Sequence, residues 1–296
     1  MATAYPASPL RYPGGKQSFA PLVGEIISSN GMKGCTYVEP YAGGAGVAFK
    51  LLTAGIVSRV ILNDKCPLLT SFWSTVFEDT RNLLALLEKA RISLAEWHRT
   101  RDVLNNPDRH TRLEIGYSFF FQNRTNFSGV INGGVIGGKS QKGKYKLDAR
   151  FPKERLMALI EEISSYRDCV EIYNMDAVEF MSQFVYPLRS RTFTYCDPPY
   201  FVKGQELYLN AYNQRDHAIV SDFLLRHSRS MRWMVSYDDA PQILQLYKRV
   251  PLYHFELPYS AHRVRRGREI LALSPKLHLP STLAKYHLHA IDTSRL

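Results

Sequence analysis

Asp197-Pro198-Pro199-Tyr200 directly follows an apolar run, Thr192–Cys196, that reads as a buried strand. Two successive prolines fix φ and remove two donors, so the turn presents a carboxylate, rigid carbonyls and an aromatic ring without competing N–H groups. Such a set suits one task. The amino group of adenine has its lone pair delocalised into the ring and is a poor nucleophile until acceptors bond both hydrogens and draw the nitrogen toward tetrahedral geometry. Asp197 and the Pro198 carbonyl can supply those acceptors. Tyr200 can stack on a base that has left a duplex, worth ~1–3 kcal/mol, against the cost of unstacking it. The alternative reading is a plain type I or II turn with proline at its corner.

Glu39-Pro40-Tyr41-Ala42-Gly43-Gly44-Ala45-Gly46 lies between a strand and a helix beginning near Val47, which predicts a tight turn that lets a ligand approach the backbone. It is not a dinucleotide fingerprint, because Phe49 stands where close helix packing wants a small residue. Asn63-Asp64 ends the next strand, where a doubly wound fold places an acid for ribose hydroxyls; a solvated aspartate capping the next helix is the other reading. Asp176, after a third strand, could bond an adenine amino group or cap the helix running to Phe184.

These motifs need a sheet to hold them. From Tyr37 onward, short apolar runs alternate with amphipathic segments of helical length, which predicts an α/β class: a Rossmann-like sheet, mostly parallel, with an antiparallel last strand. The expected strands are Thr36–Glu39, Arg59–Asn63, Val170–Tyr173, Thr192–Cys196, Arg232–Ser236, Tyr253–Leu257 and Glu269–Leu273. Between Pro67 and Tyr166 the alternation fails, with helical patterns at Leu83–Leu87 and Leu113–Phe121. Residues 67–166 therefore read as an inserted, mainly helical subdomain, and 1–66 with 167–296 as a discontinuous catalytic domain. Asn123 to Arg150 reads as a long polar, glycine-rich and basic loop before a helix opened by Pro152. Asn213 with Asp216 reads as a helix start, and His217, Tyr208 and Tyr212 as structural. The tail after Ser274 shows no period, and His287 and His289 read as surface residues.

Composition bounds the rest. The 296 residues carry 38 Lys+Arg against 27 Asp+Glu, a net charge of +11 that favours a polyanionic partner. No stretch is apolar and long enough to cross a bilayer, and the N-terminus has no secretion-signal pattern, so a reducing cytoplasm is expected. Cys35, Cys66, Cys169 and Cys196 have no metal-ligand spacing and read as small buried hydrophobes.

With these motifs placed, the chain resembles the Dam-like, adenine-specific DNA methyltransferases. Arg11-Tyr12-Pro13-Gly14-Gly15-Lys16 resembles that family's N-terminal motif, Glu39 to Gly46 its cofactor loop, Asn63-Asp64 its ribose-binding acid, and Asp197 to Tyr200 its catalytic motif. Asn123-Arg124 with Ser128-Gly129 resembles its loop pattern, inside an insert that precedes the catalytic motif. The resemblance implies S-adenosylmethionine as methyl donor, S-adenosylhomocysteine as product, no metal, and N6 methylation of an adenine flipped from a short duplex site. It implies donor contacts from Tyr12, Lys16, Glu39, Pro40, Tyr41, Gly43, Gly44, Gly46, Asp64, Asp176 and Asp197. The expected DNA contacts are Arg124, Asn126, Lys139, Lys142, Lys144 and Lys146 in the insert and Arg263, Arg265, Arg266 and Arg268 before the last strand, most of them to phosphate. Asn132 is a further candidate for base edges. The expected setting is a prokaryotic or phage-encoded enzyme on DNA, monomer or weak dimer, working either alone or beside a cognate restriction endonuclease. Cytosine N4, RNA adenine, or a silent nucleic-acid-binding homologue are the competing readings; Asp rather than Ser at position 197 favours adenine.

Overall fold

In strand β1 (Thr36–Glu39), Tyr37 and Val38 point to opposite faces and both are fully buried, as a strand covered on two sides requires. Strand β2 (Arg59–Asn63) repeats this, with Val60 and Leu62 on one face and Ile61 on the other. The computed structural model describes residues 7–11, 16–201, 212–259, 265–280 and 286–295, with side chains left undescribed at 256–259, 265–267 and 295. Tyr12 to Gly15, Tyr208 and Arg263 lie outside the described residues, as do the side chains of Arg265 and Arg266.

The remaining strands are β3 (Val170–Tyr173), β4 (Thr192–Cys196), β5 (Arg232–Asp238), β6 (Leu252–Tyr259), β7 (Arg265–Leu273) and β8 (His289–Ala290). They form one sheet in the order β3-β2-β1-β4-β5-β7-β6-β8. The first five are parallel, and β7, β6 and β8 join antiparallel. The class is the mixed α/β sheet expected. The first four strand ranges coincide with the sequence reading. Strands β5, β6 and β7 extend beyond theirs, and β8 is a short edge strand in the tail, where no period signals it.

One face of the sheet packs Tyr37, Phe193, Met234 and Leu271 under helices α1 (Ala20–Ser29), α2 (Gly46–Thr53) and α3 (Pro67–Glu78). The other packs Val38, Cys196, Trp233 and Ile270 under α8 (Ala177–Phe180), α9 (Gln214–Arg226) and α10 (Pro241–Tyr247). Helix α9 starts at a capping box in which Asn213 and Asp216 satisfy each other's backbone N–H. The chain leaves β1 toward β2 but leaves β4 toward β5, so a crevice opens beyond the carboxyl ends of these neighbours, the usual ligand position in such sheets.

Residues 67–166 are helical as expected: α3, α4 (Thr80–Lys89), α5 (Leu94–Asn105), α6 (Arg112–Thr125) and α7 (Lys153–Ser164). They share the sheet's core. Trp73 packs on Phe49 of α2 at 5.1 Å between ring centroids, and Phe72 stacks on Phe120 of α6 at 5.4 Å. Of the segment Asn123 to Arg150, read as a polar loop, Asn123 to Thr125 instead form the last turn of α6, and the remainder has no long element but is packed by its own side chains. Ile131, Val135, Ile136 and Leu147 are buried. Gln141 bonds the carbonyls of Ile136 and Gly138 and the N–H of Leu147. Of the cysteines, Cys66 and Cys196 are buried as expected, whereas Cys35 and Cys169 are half-buried. Among the described residues no helix is long and apolar enough to cross a membrane.

Candidate active site

The turn after β1 is shaped by backbone that side chains disfavour: Gly43 has φ +45° and Ala45 φ +48°. Gly46 opens α2 where a Cβ would lie 2.9 Å from the Cβ of Gln17, so glycine lets the N-terminal segment cross the turn. Three polar side chains fix the turn. Asn63 donates to the Pro40 and Met175 carbonyls at 3.0 and 3.1 Å and accepts from the Met175 N–H at 3.0 Å, tying the ends of β1, β2 and β3 together. Asp64 accepts from the Gly43 N–H at 3.1 Å and the Cys66 N–H at 2.9 Å. Trp73 donates to the Gly43 carbonyl at 3.0 Å. Asp64 thus serves the start of α3 and the glycine turn at once while staying half-buried, and burial raises its carboxyl above the ordinary range.

Glu39 turns inward. It accepts from the Tyr37 hydroxyl at 3.0 Å and the Ala48 N–H at 3.2 Å, and burial pushes its carboxyl up to about 8 despite those bonds. Tyr41 meets Tyr212, hydroxyl to hydroxyl, at 3.2 Å. Asp176 caps α8 through the Val178 N–H at 3.0 Å and pairs with Lys65 at 3.3 Å, so of its two readings the structure displays the cap.

At the end of β4, Asp197 is 25% exposed and accepts from the Ser236 hydroxyl at 2.7 Å; Ser236 is fully buried and also meets the Tyr195 hydroxyl. Lys16 stands 3.6 Å from Asp197 and donates to Glu269 at 2.7 and 3.0 Å and to the Tyr200 hydroxyl at 2.7 Å. Tyr200 in turn donates to Glu269 at 2.9 Å. Burial raises the Asp197 carboxyl, Lys16 draws it down, and Glu269 pushes it up again. Lys16 thus lies between the carboxyl groups of Glu269 and Asp197, and of the two Asp197 is the one open to the crevice. No described group donates to the Pro198 carbonyl. Tyr200 is 6% exposed and its hydroxyl is built into this network. Ser236 and Glu269 were not singled out from the sequence, since each is one polar residue in a strand.

Other expected contacts fall differently. Asn126 is fully buried: its oxygen accepts from Trp97 at 2.7 Å and its amide serves Gln122 and the Val130 and Ile131 carbonyls. With its bonding capacity spent inside, it holds the loop and has none left for a base edge, which corrects the expectation. Arg124 is half-buried. Lys139, Lys142, Lys144 and Lys146 are exposed along one loop, as is Asn132. Arg268 is exposed and pairs with Asp239 at 3.2 Å. Phe127, not singled out from the sequence, leaves 55% of its surface exposed beside Ser128, which takes φ +54°. No group of metal-binding side chains occurs among the described residues.

The chain matches the D12 class N6 adenine-specific DNA methyltransferase family over residues 12–266. It is 26% identical over 220 residues to the type II methyltransferase M.MjaIII of Methanocaldococcus jannaschii, spanning 70% of this chain and 73% of that protein. Among solved structures, the rRNA methyltransferase aviRa from Streptomyces viridochromogenes covers 90% of this chain with 87% of its own, at 12% identity and a TM-score of 0.33, too slight a likeness to carry an argument. The family match takes in the glycine turn, the helical insert and Asp197 to Tyr200, and the chain belongs to the D12 class of N6 adenine-specific DNA methyltransferases.

Proposed function

We propose that the chain methylates the 6-amino group of an adenine turned out of duplex DNA, with S-adenosylmethionine as donor and Asp197 and the Pro198 carbonyl as the acceptors that ready the nitrogen. Asp197 carries the reading: it is fixed at the switch point by Ser236, balanced by Lys16, and still open to the crevice. The crevice residues fit the donor. The glycine turn leaves backbone bare, and the half-buried Asp64 carboxylate suits ribose hydroxyls. When bound, S-adenosylmethionine supplies a methyl group on a positively charged sulfur. Gly43, Gly44 and Gly46 would line the methionine end of that ligand, and Lys16 would keep Asp197 ionised while Asp197 holds an amino hydrogen. The work of these residues is orientation and electrostatics.

Residues 67–166 would read the target, and 1–66 with 167–296 would bind donor and base. Exposed lysines of the loop would meet phosphates, and exposed Phe127 offers an aromatic face to the stack that the base leaves. The test is Asp197→Ala. We expect a folded variant that still binds S-adenosylmethionine and loses at least ~10²-fold in adenine methylation of duplex DNA, read by mass spectrometry of digested nucleosides. Methylation at the parent rate sinks the assignment, and a methyl group found on cytosine moves the reaction to that base.

A further inference from the structure

Three arginines meet at the seam between the N-terminal segment and the insert, with no carboxylate among the described residues paired to them. Asn123, in the last turn of α6, grips the backbone of Arg11 at both ends, accepting its N–H and donating to its carbonyl, each at 2.8 Å. Gly129 closes the seam: at φ +77° its Cβ would sit 2.1 Å from the Arg11 carbonyl oxygen. Arg124 follows Asn123 in the chain and is brought to the same place. Phe151 packs on Phe120 and Phe121, each at 5.6 Å between centroids, which sets Arg150 beside the same turn of α6. Arg155 lies in the first turn of α7.

Among the described residues, the guanidinium groups of Arg11 and Arg124 donate to neutral carbonyls. Arg11 donates to the Asn126 carbonyl at 3.0 Å and Arg124 to the Pro9 carbonyl at 3.4 Å, while the buried Nε of Arg124 has no partner. Burial and repulsion by Arg11, Arg150 and Arg155 draw the Arg124 guanidinium down to about 9, and burial with Arg150 lowers Arg11 as well. Desolvated like charges cost stability unless an anion stands between them. The lysines of the nearby loop are solvated and carry no such cost.

We propose that Arg11, Arg124 and Arg150 form a site for one phosphodiester of the DNA backbone, an inference that rests on the reading of the chain as an enzyme of duplex DNA. The planar guanidinium fork matches phosphate oxygens in pairs, and Arg11 and Arg124, already partly stripped of water, bind with a smaller dehydration cost than solvated cations. Arg11 shortly precedes Lys16, so a phosphate held here would anchor the segment that carries Lys16 to Asp197.

The test measures binding of the full chain and of Arg124→Met to two duplexes, one that the parent methylates and one that it does not, across a salt series, together with melting of the free proteins. Losing one neutralised phosphate makes the slope of log K against log salt shallower by about 0.9. We expect that change, equal weakening on both duplexes, and a free Arg124→Met that melts no lower than the parent because a repulsion is gone. Arg150→Gln alters an exposed side chain that the fold does not need and shifts the slope in the same direction. Slopes unchanged in both variants, weakening on the methylated duplex alone, or a lower melting temperature with affinity intact would overturn the site. A parent that binds neither duplex and methylates no adenine overturns instead the reading on which the site rests.

Discussion

Three acids near the crevice, Glu39, Asp64 and Asp197, have carboxyls raised by burial, and of the three Glu39 alone is closed to a ligand. Glu39 faces inward, and its titration belongs to the fold. Its carboxyl titrates near 8 in the native state against an ordinary 4.5, so between those values the native protein keeps a proton that the unfolded chain has released. Stability therefore falls as pH rises through that interval, by about 1.4 kcal/mol per unit. Glu39→Gln keeps the oxygen that accepts from Tyr37 and Ala48 and removes the titration. Its melting temperature should stay level from pH 4.5 to about 8 while the parent's declines, and a parallel decline in both would place the titration elsewhere. At this scale Asp197 and Asp64 were legible because each closes a strand with a recognisable turn. Glu269 and Ser236 were not. A lone acid in the run Glu269-Ile270-Leu271-Ala272-Leu273 is the one available signal, and it gains meaning only when Lys16, far away in the chain, is folded against it. The partners of the Tyr200 hydroxyl, Lys16 and Glu269, are concealed by sequence distance in the same way.

Among elements, strands were the most legible, since β-branched and aromatic runs bounded by Asn, Asp or Pro need little tertiary help. Arg59–Asn63 and Thr192–Cys196 end where the sequence says. The loop after α6 was read as open because it is rich in glycine and lysine. Its order comes from Gln141 and Asn126, polar residues whose partners are backbone carbonyls that no pattern advertises. Gly129 shows how much such contacts decide. Gly129→Ala must bear a left-handed backbone, ~1–2 kcal/mol in itself, and also a methyl driven into the Arg11 carbonyl. We expect a loss of about 2–4 kcal/mol in denaturant unfolding, with methylation falling further than stability does because the segment leading to Lys16 is displaced. Wild-type stability in this variant would mean that the seam is not closely packed.

For the whole molecule, the insert and the sheet share one core through Phe49, Trp73, Phe72 and Phe120. Calorimetry should accordingly show one cooperative unfolding transition in which the insert and the sheet melt together. Two separated transitions would show that residues 67–166 fold as an independent unit. The discontinuous division seen in the sequence marks where the α/β alternation stops, but it does not mark a boundary of packing.

The grip of Asn123 on Arg11 bears on how target preference can be transplanted between relatives. A cassette cut at residues 67 and 166 would carry away Asn123 and Gly129, which hold the N-terminal segment, and Trp73, which bonds the glycine turn. A cassette cut after Gly129 and before Phe151 exchanges the exposed lysines and Asn132 while leaving every one of those joints in its original host.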